Sequence, residues 1–407
     1  MNKTFLSYVK KKSFWEGVVW LILLVIIIKL FVLKSIGIIL NLPFPSHTDQ
    51  DGYLTAGQEF VNSGLFLARA PLYSLWMGLM YSLSGNDIAA LYYNEKIASV
   101  FLMSLLMLIL GWKFFDKWTA LFFFLWIWNC KYLITEPNGS HTLAAVFLIL
   151  ALIFVSLKNK FFHSFFVLML FFSALCRSEM WIVILIFSTI SILYYLLKAK
   201  NKKTFKENFK IEHFSGFIII CSACIILLFY FKSNKFNPEP GRLSIAFCQN
   251  FSVNYVERNN LFAKYPNPWS DWIIIWKESV PKANSPADVL KFYPKELIKH
   301  LFYNIKLSVK AIPATVFGLI DKFSFMIAMC CWLTSFYFFR RNFSIFNTLT
   351  ISLLLSTFVL IITSFIFKVA MRYYEQLIPV LMILFVFMSI HILGAIQLYL
   401  RKKNAMS

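Results

Sequence analysis

Long apolar runs separated by short polar turns make up most of this 407-residue chain. A helix needs about 20 mostly apolar residues to cross the hydrocarbon core of a bilayer. Ten runs reach or approach that length, at roughly 14–36, 88–112, 117–134, 138–157, 161–176, 179–197, 213–231, 323–339, 345–367 and 374–400. Two intervening segments are too long to be turns, 41–87 and about 232–310. The pattern predicts an all-α polytopic membrane protein, a bundle of about ten transmembrane helices with two exoplasmic loop regions. It divides into an N-terminal transmembrane module (1–231) that contains the first loop, the second loop (232–310), and C-terminal transmembrane helices (311–407). In the second loop, Asn237-Pro-Glu-Pro-Gly241 and Tyr265-Pro-Asn-Pro-Trp269 mark irregular turns. Residues 287–303 mix apolar positions with Lys291, Lys295 and Lys299 at spacing four, the pattern of an amphipathic helix lying at a membrane interface.

Composition agrees with the pattern. The chain is 59% hydrophobic and 14% charged, with a mean hydropathy of +0.68. A soluble globular protein carries about 45–50% apolar and about 25% charged residues. A cytosolic enzyme, a nucleic-acid binder and a secreted domain are excluded on this ground. The net charge of +21 is then a matter of membrane side, because Lys and Arg concentrate in short cytoplasmic loops. With the amino terminus inside, segments 1–13, 113–117, 158–160, 198–212, 340–344 and 401–407 hold 19 of the 40 Lys and Arg residues. Only Glu16, Asp116, Glu207 and Glu212 of the 19 acidic residues fall on that side. Both termini are therefore expected in the cytoplasm. The first run follows Lys10, Lys11 and Lys12, is too long for a signal-peptide core and lacks a small-residue cleavage site, so it reads as an uncleaved anchor. The Lys, Phe, Ile and Asn bias is that of an AT-rich genome and points to a bacterial inner (plasma) membrane. Seven cysteines form no disulfide framework, and Cys221 and Cys224 lie inside an apolar helix, where packing explains them.

Ionisable residues that a bilayer rejects mark the working parts of a membrane protein. Here they collect at the expected exoplasmic helix ends: Asp49-Gln50-Asp51-Gly52-Tyr53, Arg69-Ala70-Pro71-Leu72-Tyr73, Glu136-Pro137, Arg177-Ser178-Glu179 and Arg372-Tyr373-Tyr374. Each has a bland reading beside a functional one. Asp49 and Asp51 are ordinary turn carboxylates, a general base for a hydroxyl nucleophile, or, with His47 nearby, ligands for a divalent cation. Glu136 stabilises a helix start as a carboxylate before proline, or accepts hydrogen bonds from a sugar or an arginine. Arg177, Glu179 and Arg372 are interfacial anchors, or hold a phosphate, for which the guanidinium fork is well shaped. No P-loop, HExxH, GxSxG or nucleotide-binding GxGxxG is present. An exoplasmic site has no nucleotide pool, so an activated substrate there must arrive on a lipid.

The order of these clusters resembles the GT-C membrane glycosyltransferases, above all the branch of protein O-mannosyltransferases and lipid A aminoarabinose transferases. Asp49-Gln-Asp-Gly-Tyr53 is similar to the family's first-loop D-x-x-x-Y, and Arg69-Ala-Pro-Leu-Tyr73 to its R/K-x-P-L-Y, followed by a short apolar helix ending in Gly85. Leu133-Ile-Thr-Glu-Pro137 matches a Glu-Pro after the third span, Ala174-Leu-Cys-Arg-Ser-Glu179 a helix ending in (T/C)-R-x-E, and Arg372-Tyr373 an Arg-Tyr before the last span. The likeness covers about 1–200 and 345–400, and is loose over Pro294…His300…Asn304. It implies an inverting transferase that moves a hexose or pentose from a polyprenyl-phosphate donor to an exoplasmic glycan, glycolipid or protein, with membrane lipid as its surroundings and no nucleic-acid partner. Asp49 or Asp51 is then the base; Tyr53, Arg69, Tyr73, Glu136, Arg177, Glu179, Arg372 and Tyr373 bind substrate. A glycan polymerase or ligase with lipid-linked donors is the nearest alternative, with a large late loop rich in Arg and His as its expected mark. A lipid or solute transporter is the other, with repeats and broken helices near the midplane as its mark.

Overall fold

The computed structural model describes residues 3–42, 48–63, 70–135, 139–157, 160–199, 221–222, 224–225, 242–318, 320, 326–333, 348–366 and 371–404. The fold is all-α. The first helix, α1 (Lys3–Ile27), continues through a π-helical turn (Ile28–Val32) into α2 (Leu33–Leu40). Then follow α3 (Thr48–Ser63), α4 (Pro71–Leu83), α5 (Ile88–Phe114), α6 (Lys117–Asn129), α7 (Lys131–Thr135), α8 (Gly139–Val155), α9 (Lys160–Cys176) and α10 (Met180–Ala199). Beyond them lie α11 (Arg242–Asn259), α12 (Trp272–Ser279), α13 (Pro286–Phe292), α14 (Pro294–Phe317), α15 (Thr348–Thr357), α16 (Val359–Ile366), a 3-10 helix (Met371–Leu377) and α17 (Ile378–Asn404).

Two of the expected crossings, 14–36 and 88–112, fold as helices long and apolar enough to cross a membrane, Phe14–Leu40 and Ile88–Phe114. Gly139–Val155, Ser164–Cys176, Met180–Ser191, Ile351–Ile366 and Tyr374–Ile390 are shorter apolar helices. The expected run at 117–134 is not one helix. Asp116 starts α6 by accepting the backbone N–H groups of Trp118 (2.7 Å) and Thr119 (3.0 Å), and the helix stops at Asn129. The chain beyond α14 is stitched into the break: Lys131 N–H donates to the Gly318 carbonyl (2.8 Å) and Ile320 N–H to that of Asn129 (2.9 Å). All residues of α6 from Thr119 to Asn129 are buried. A helix apolar on every side belongs in the interior, and α6 is the central rod of the core, packed against α5. The run at 345–367 is interrupted at Phe358, and the last run begins as the 3-10 helix. The run at 213–231 lies largely, and that at 323–339 partly, outside the described residues, as does the turn at 237–241.

Both long insertions are built of helices joined by turns where described, and the expected irregular segment at 265–269 lies in a turn region between helices. In the first, α3 crosses α4 at Gly57 and Gly78, where the two backbones touch: a Cβ on Gly57 would lie 2.8 Å from Gly78 N and collide with the Ser74 carbonyl oxygen. Gly85 (φ +65°) and Asn86 (φ +63°) then turn the chain, and Asp87 caps α5 by accepting from Ala89 N–H (2.8 Å). In the second, α11 to α14 pack around Phe247, Phe251, Trp276, Val280 and Val289. The helix expected over 287–303 is two helices, because Pro294 begins a new one; α14 runs on to Phe317. It is inside out. His300, Asn304, Ser308 and Thr315 are buried, whereas Ile298, Phe302, Ile305 and Val309 are exposed on the other side.

Candidate functional site

The first turn of α8, Gly139-Ser140-His141-Thr142, is buried throughout. Buried polar groups need partners, and here they come from three other elements. From α5, the Glu95 carboxylate lies against the Cα of Gly139, so close that any Cβ there would overlap it. Ser99 Oγ donates to Glu95 Oε1 (2.8 Å) and Trp76 Nε1 of α4 to the same oxygen (3.3 Å). From the α9–α10 turn, Arg177 donates through Nη1 to Ser140 Oγ (3.4 Å). From the 3-10 helix, Glu375 Oε2 accepts from Thr142 Oγ1 (2.9 Å). Glu95, Lys96 and Glu375 are 2%, 4% and 0% exposed, and Lys96 and Glu375 both lie within electrostatic reach of the Cys130 thiol at the α6–α7 break.

Arg177 is held rigidly. Its Nε and Nη2 both donate to Glu179 Oε1 at 2.9 Å, and His141 Nε2 lies 3.6 Å from the same oxygen. The turn that carries the pair is fixed by Arg177 N–H to Ser173 O (3.0 Å) and Met180 N–H to Arg177 O (3.1 Å), while Ser173 Oγ donates to Ala144 O (2.8 Å) and ties α9 to α8. Tyr53 and Tyr73 meet edge to face, with ring centroids 5.0 Å apart, in a small core shared with Leu143, Ala144 and Cys176. Tyr53, Tyr73, Arg177 and Glu179 are therefore gathered around one end of α8. Asp49 and Asp51 belong to the first turn of α3, and Arg372 and Tyr373 to the 3-10 helix, with side chains outside the description; Arg69 and Glu136 lie outside the described residues. Among the described residues no three His, Cys, Asp or Glu side chains gather as metal ligands.

Glu95, Lys96, His141 and Glu375 are the members that the sequence reading passed over. Their signal was present. Glu95 and Lys96 are ionisable residues well inside an apolar run, His141 opens another, and Glu375 directly follows the Arg372-Tyr373-Tyr374 cluster.

A second buried polar group joins α11, α14 and α16. Asn254 Nδ2 donates to Asn304 Oδ1 (2.7 Å) and to His300 Nδ1 (3.0 Å). Amide nitrogens face both ring nitrogens, Asn254 Nδ2 at Nδ1 and Asn304 Nδ2 at Nε2 (3.2 Å), and the Ile366 carbonyl 3.0 Å from Nε2, which can only accept, assigns the imidazole proton to Nε2. Burial between the rings of Phe247 and Phe251 pushes His300 down to about 4. An unfolded histidine takes its proton near pH 6.5. Between those values the folded chain binds fewer protons than the unfolded one, so stability present above about pH 6.5 is lost as pH falls toward 4, at about 1.4 kcal/mol per unit. Thermal unfolding of His300→Gln is expected to lack that part of the acid slope; an unchanged slope refutes the assignment.

No protein-family model matches the chain, and neither a curated protein nor a solved structure matches it.

Proposed function

We propose that the chain is a polytopic inner-membrane glycosyltransferase of GT-C type, with about ten spans and both termini in the cytoplasm. It moves a sugar from a polyprenyl-phosphate donor to an exoplasmic hydroxyl, inverting the anomeric centre. The observation that carries the reading is the buried charged cluster at the start of α8, in which Arg177 is fixed by Glu179 with one amino group toward Ser140. Such a preset cation in a dehydrated site stabilises charge that develops in a transition state.

The chemistry follows from the residue types. The acceptor oxygen attacks the anomeric carbon and gives its proton to Asp49 or Asp51. The bond from that carbon to the phosphate oxygen breaks, and the lipid phosphate leaves with the electron pair. A phosphate needs cations more than a proton, and Arg177, Arg372 and Arg69 supply them, with Lys96 as a further buried cation. Glu136 and Glu179 orient the arginines or the sugar. The packing of α3 on α4, and of Tyr53 on Tyr73, supports a common site for the aspartates and Arg177, since Tyr53 is one helical turn beyond Asp49.

A transporter is the second reading. It draws on Glu95 and Lys96 buried inside a long apolar helix and on the break between α6 and α7, features shared with discontinuous transport helices.

Mass spectrometry of surface glycans and glycolipids separates the two. A deletion strain is compared with strains restored by wild type, Asp49→Asn or Asp51→Asn, each verified in the membrane. Loss of one sugar, restored by wild type and not by one Asn variant, is expected, with that variant slowed on the order of 10²-fold or more. An unchanged profile in all strains refutes the transferase and favours transport.

A further inference from the structure

The buried polar face of α14 has a use that the transferase reading leaves unassigned. His300, Asn304 and Ser308 stand one helical turn apart on one buried stripe. Each reaches across to the segment that leads into the last helix. His300 Nε2 donates to Ile366 O (3.0 Å) and Asn304 Nδ2 to Phe365 O (2.7 Å), which are the last carbonyls of α16. Helix ends leave such carbonyls without intrahelical partners, and here a neighbouring helix caps them with two side chains. One turn further, Tyr374 of the 3-10 helix donates its hydroxyl to Ser308 Oγ (2.8 Å), and that hydroxyl also meets Ser364 Oγ (2.8 Å). Helix α14 thus grips the chain on both sides of residues 367–370.

The grip has a base and a destination. Asn254 of α11 fixes the His300 and Asn304 side chains, and Arg258, one turn beyond Asn254, pairs with Glu296 of α14 (3.4 Å). At the other end, Glu375 directly follows Tyr374 and binds Thr142 in the first turn of α8. A continuous polar path therefore runs from the α11–α14 unit to the cluster that holds Arg177.

We infer that His300, Asn304 and Ser308 are positioning residues through which the α11–α14 unit sets the place of the 3-10 helix, and with it Arg372, for the phosphate of the lipid-linked donor. This rests on the transferase reading above.

Tyr374→Phe is the sharpest probe. It removes only the hydroxyl, and its two partners keep other bonds, Ser308 Oγ to Asn304 O (2.8 Å) and Ser364 Oγ to Ile361 O (2.6 Å). Asn304→Ala is the stronger variant. Hydrogen exchange of the full chain in nanodiscs is expected to run about 5-fold faster over 359–377 in Tyr374→Phe, the worth of one hydrogen bond, with α5 and α8 unchanged. In transfer assays the donor KM rises and the acceptor KM stays. Unchanged exchange over 359–377 overturns the inference. Faster exchange with kcat lowered and the donor KM unmoved also overturns it, because lost folded protein alone gives that result. If wild type transfers nothing, the transferase reading fails, and with it the role assigned to Arg372; the exchange result then decides only whether α14 holds the 3-10 helix.

Discussion

On the proposed transferase mechanism, Arg177→Ala is expected to lower kcat/KM for sugar transfer by on the order of 10³, the upper range for loss of one preorganised charge-stabilising donor. Three hydrogen-bonding nitrogens of this side chain are already committed in the absence of substrate, two to Glu179 and one to Ser140. The cation therefore does not have to be ordered when the phosphate arrives. Alanine removes the charge and also strands Glu179, which is 18% exposed, as a carboxylate without its cation. Arg177→Lys keeps a charge but loses the fork that spans Glu179 and Ser140, so an intermediate loss of about 10- to 100-fold is expected. Glu179→Gln keeps an acceptor for Nε and is expected to be milder than Arg177→Ala. Steady-state transfer with purified, membrane-reconstituted protein measures all three. Transfer by Arg177→Ala within about 3-fold of wild type, far short of the expected loss, removes Arg177 from the site.

A single methyl group at Gly57 is expected to do comparable damage by a purely steric route. Its Cβ would strike the Ser74 carbonyl and Gly78 N, all backbone atoms that cannot rotate away. The two helices must separate or shift, a form of overpacking that costs about 1–3 kcal/mol or more. Helix α3 carries Asp49 and Asp51 in its first turn, so in the proposed mechanism a displaced α3 also moves the base away from the acceptor. Gly52 is the internal control. It lies in the same helix with nothing within 4 Å of its Cβ position. Ala there gains about 0.5–1 kcal/mol of helix preference over Gly. Opposite shifts in the unfolding temperature of Gly57→Ala and Gly52→Ala are expected; equal shifts contradict the close crossing of α3 and α4.

The helical class, the positions of α1–α2, α5 and α8 to α10, and the short helix ending before Gly85 were legible from hydropathy and turn residues. Period and length carry that information locally. The break at Cys130 was not legible, because Lys131-Tyr-Leu-Ile-Thr135 continues the apolar run and the interruption depends on hydrogen bonds with Gly318, which accepts from Lys131, and Ile320, which donates to Asn129, far along the chain. For the site, the Arg177–Glu179 pair was legible from its short spacing, and Tyr53 and Tyr73 were singled out without the contact between them. Glu95, His141 and Glu375 stood out as ionisable residues in or beside apolar runs, but their meeting at the start of α8 was not legible, because Glu95 comes from α5 and Glu375 from a segment 233 positions beyond Thr142. The inward polar stripe of α14 was hidden for a related reason. An amphipathic pattern tells which residues share a face and not what covers that face, and the partners of His300, Asn304 and Ser308 lie 46 to 66 positions away.

The joint between α6 and α14 also dictates an order of assembly. Trp126 Nε1 donates to Val316 O (2.8 Å) and Cys130 Sγ to Thr315 O (3.1 Å), partners 190 and 185 positions later in the chain. At about 5–20 residues per second, synthesis of that stretch takes on the order of 10–40 s. The central rod of the bundle therefore waits, half enclosed, until the second insertion has emerged. During that interval the nascent N-terminal half presents an open seam along α6, where an insertion chaperone or a wrong helix can dock. Chains cut before Thr315 lack both partners and leave the ribosome with the seam unsealed.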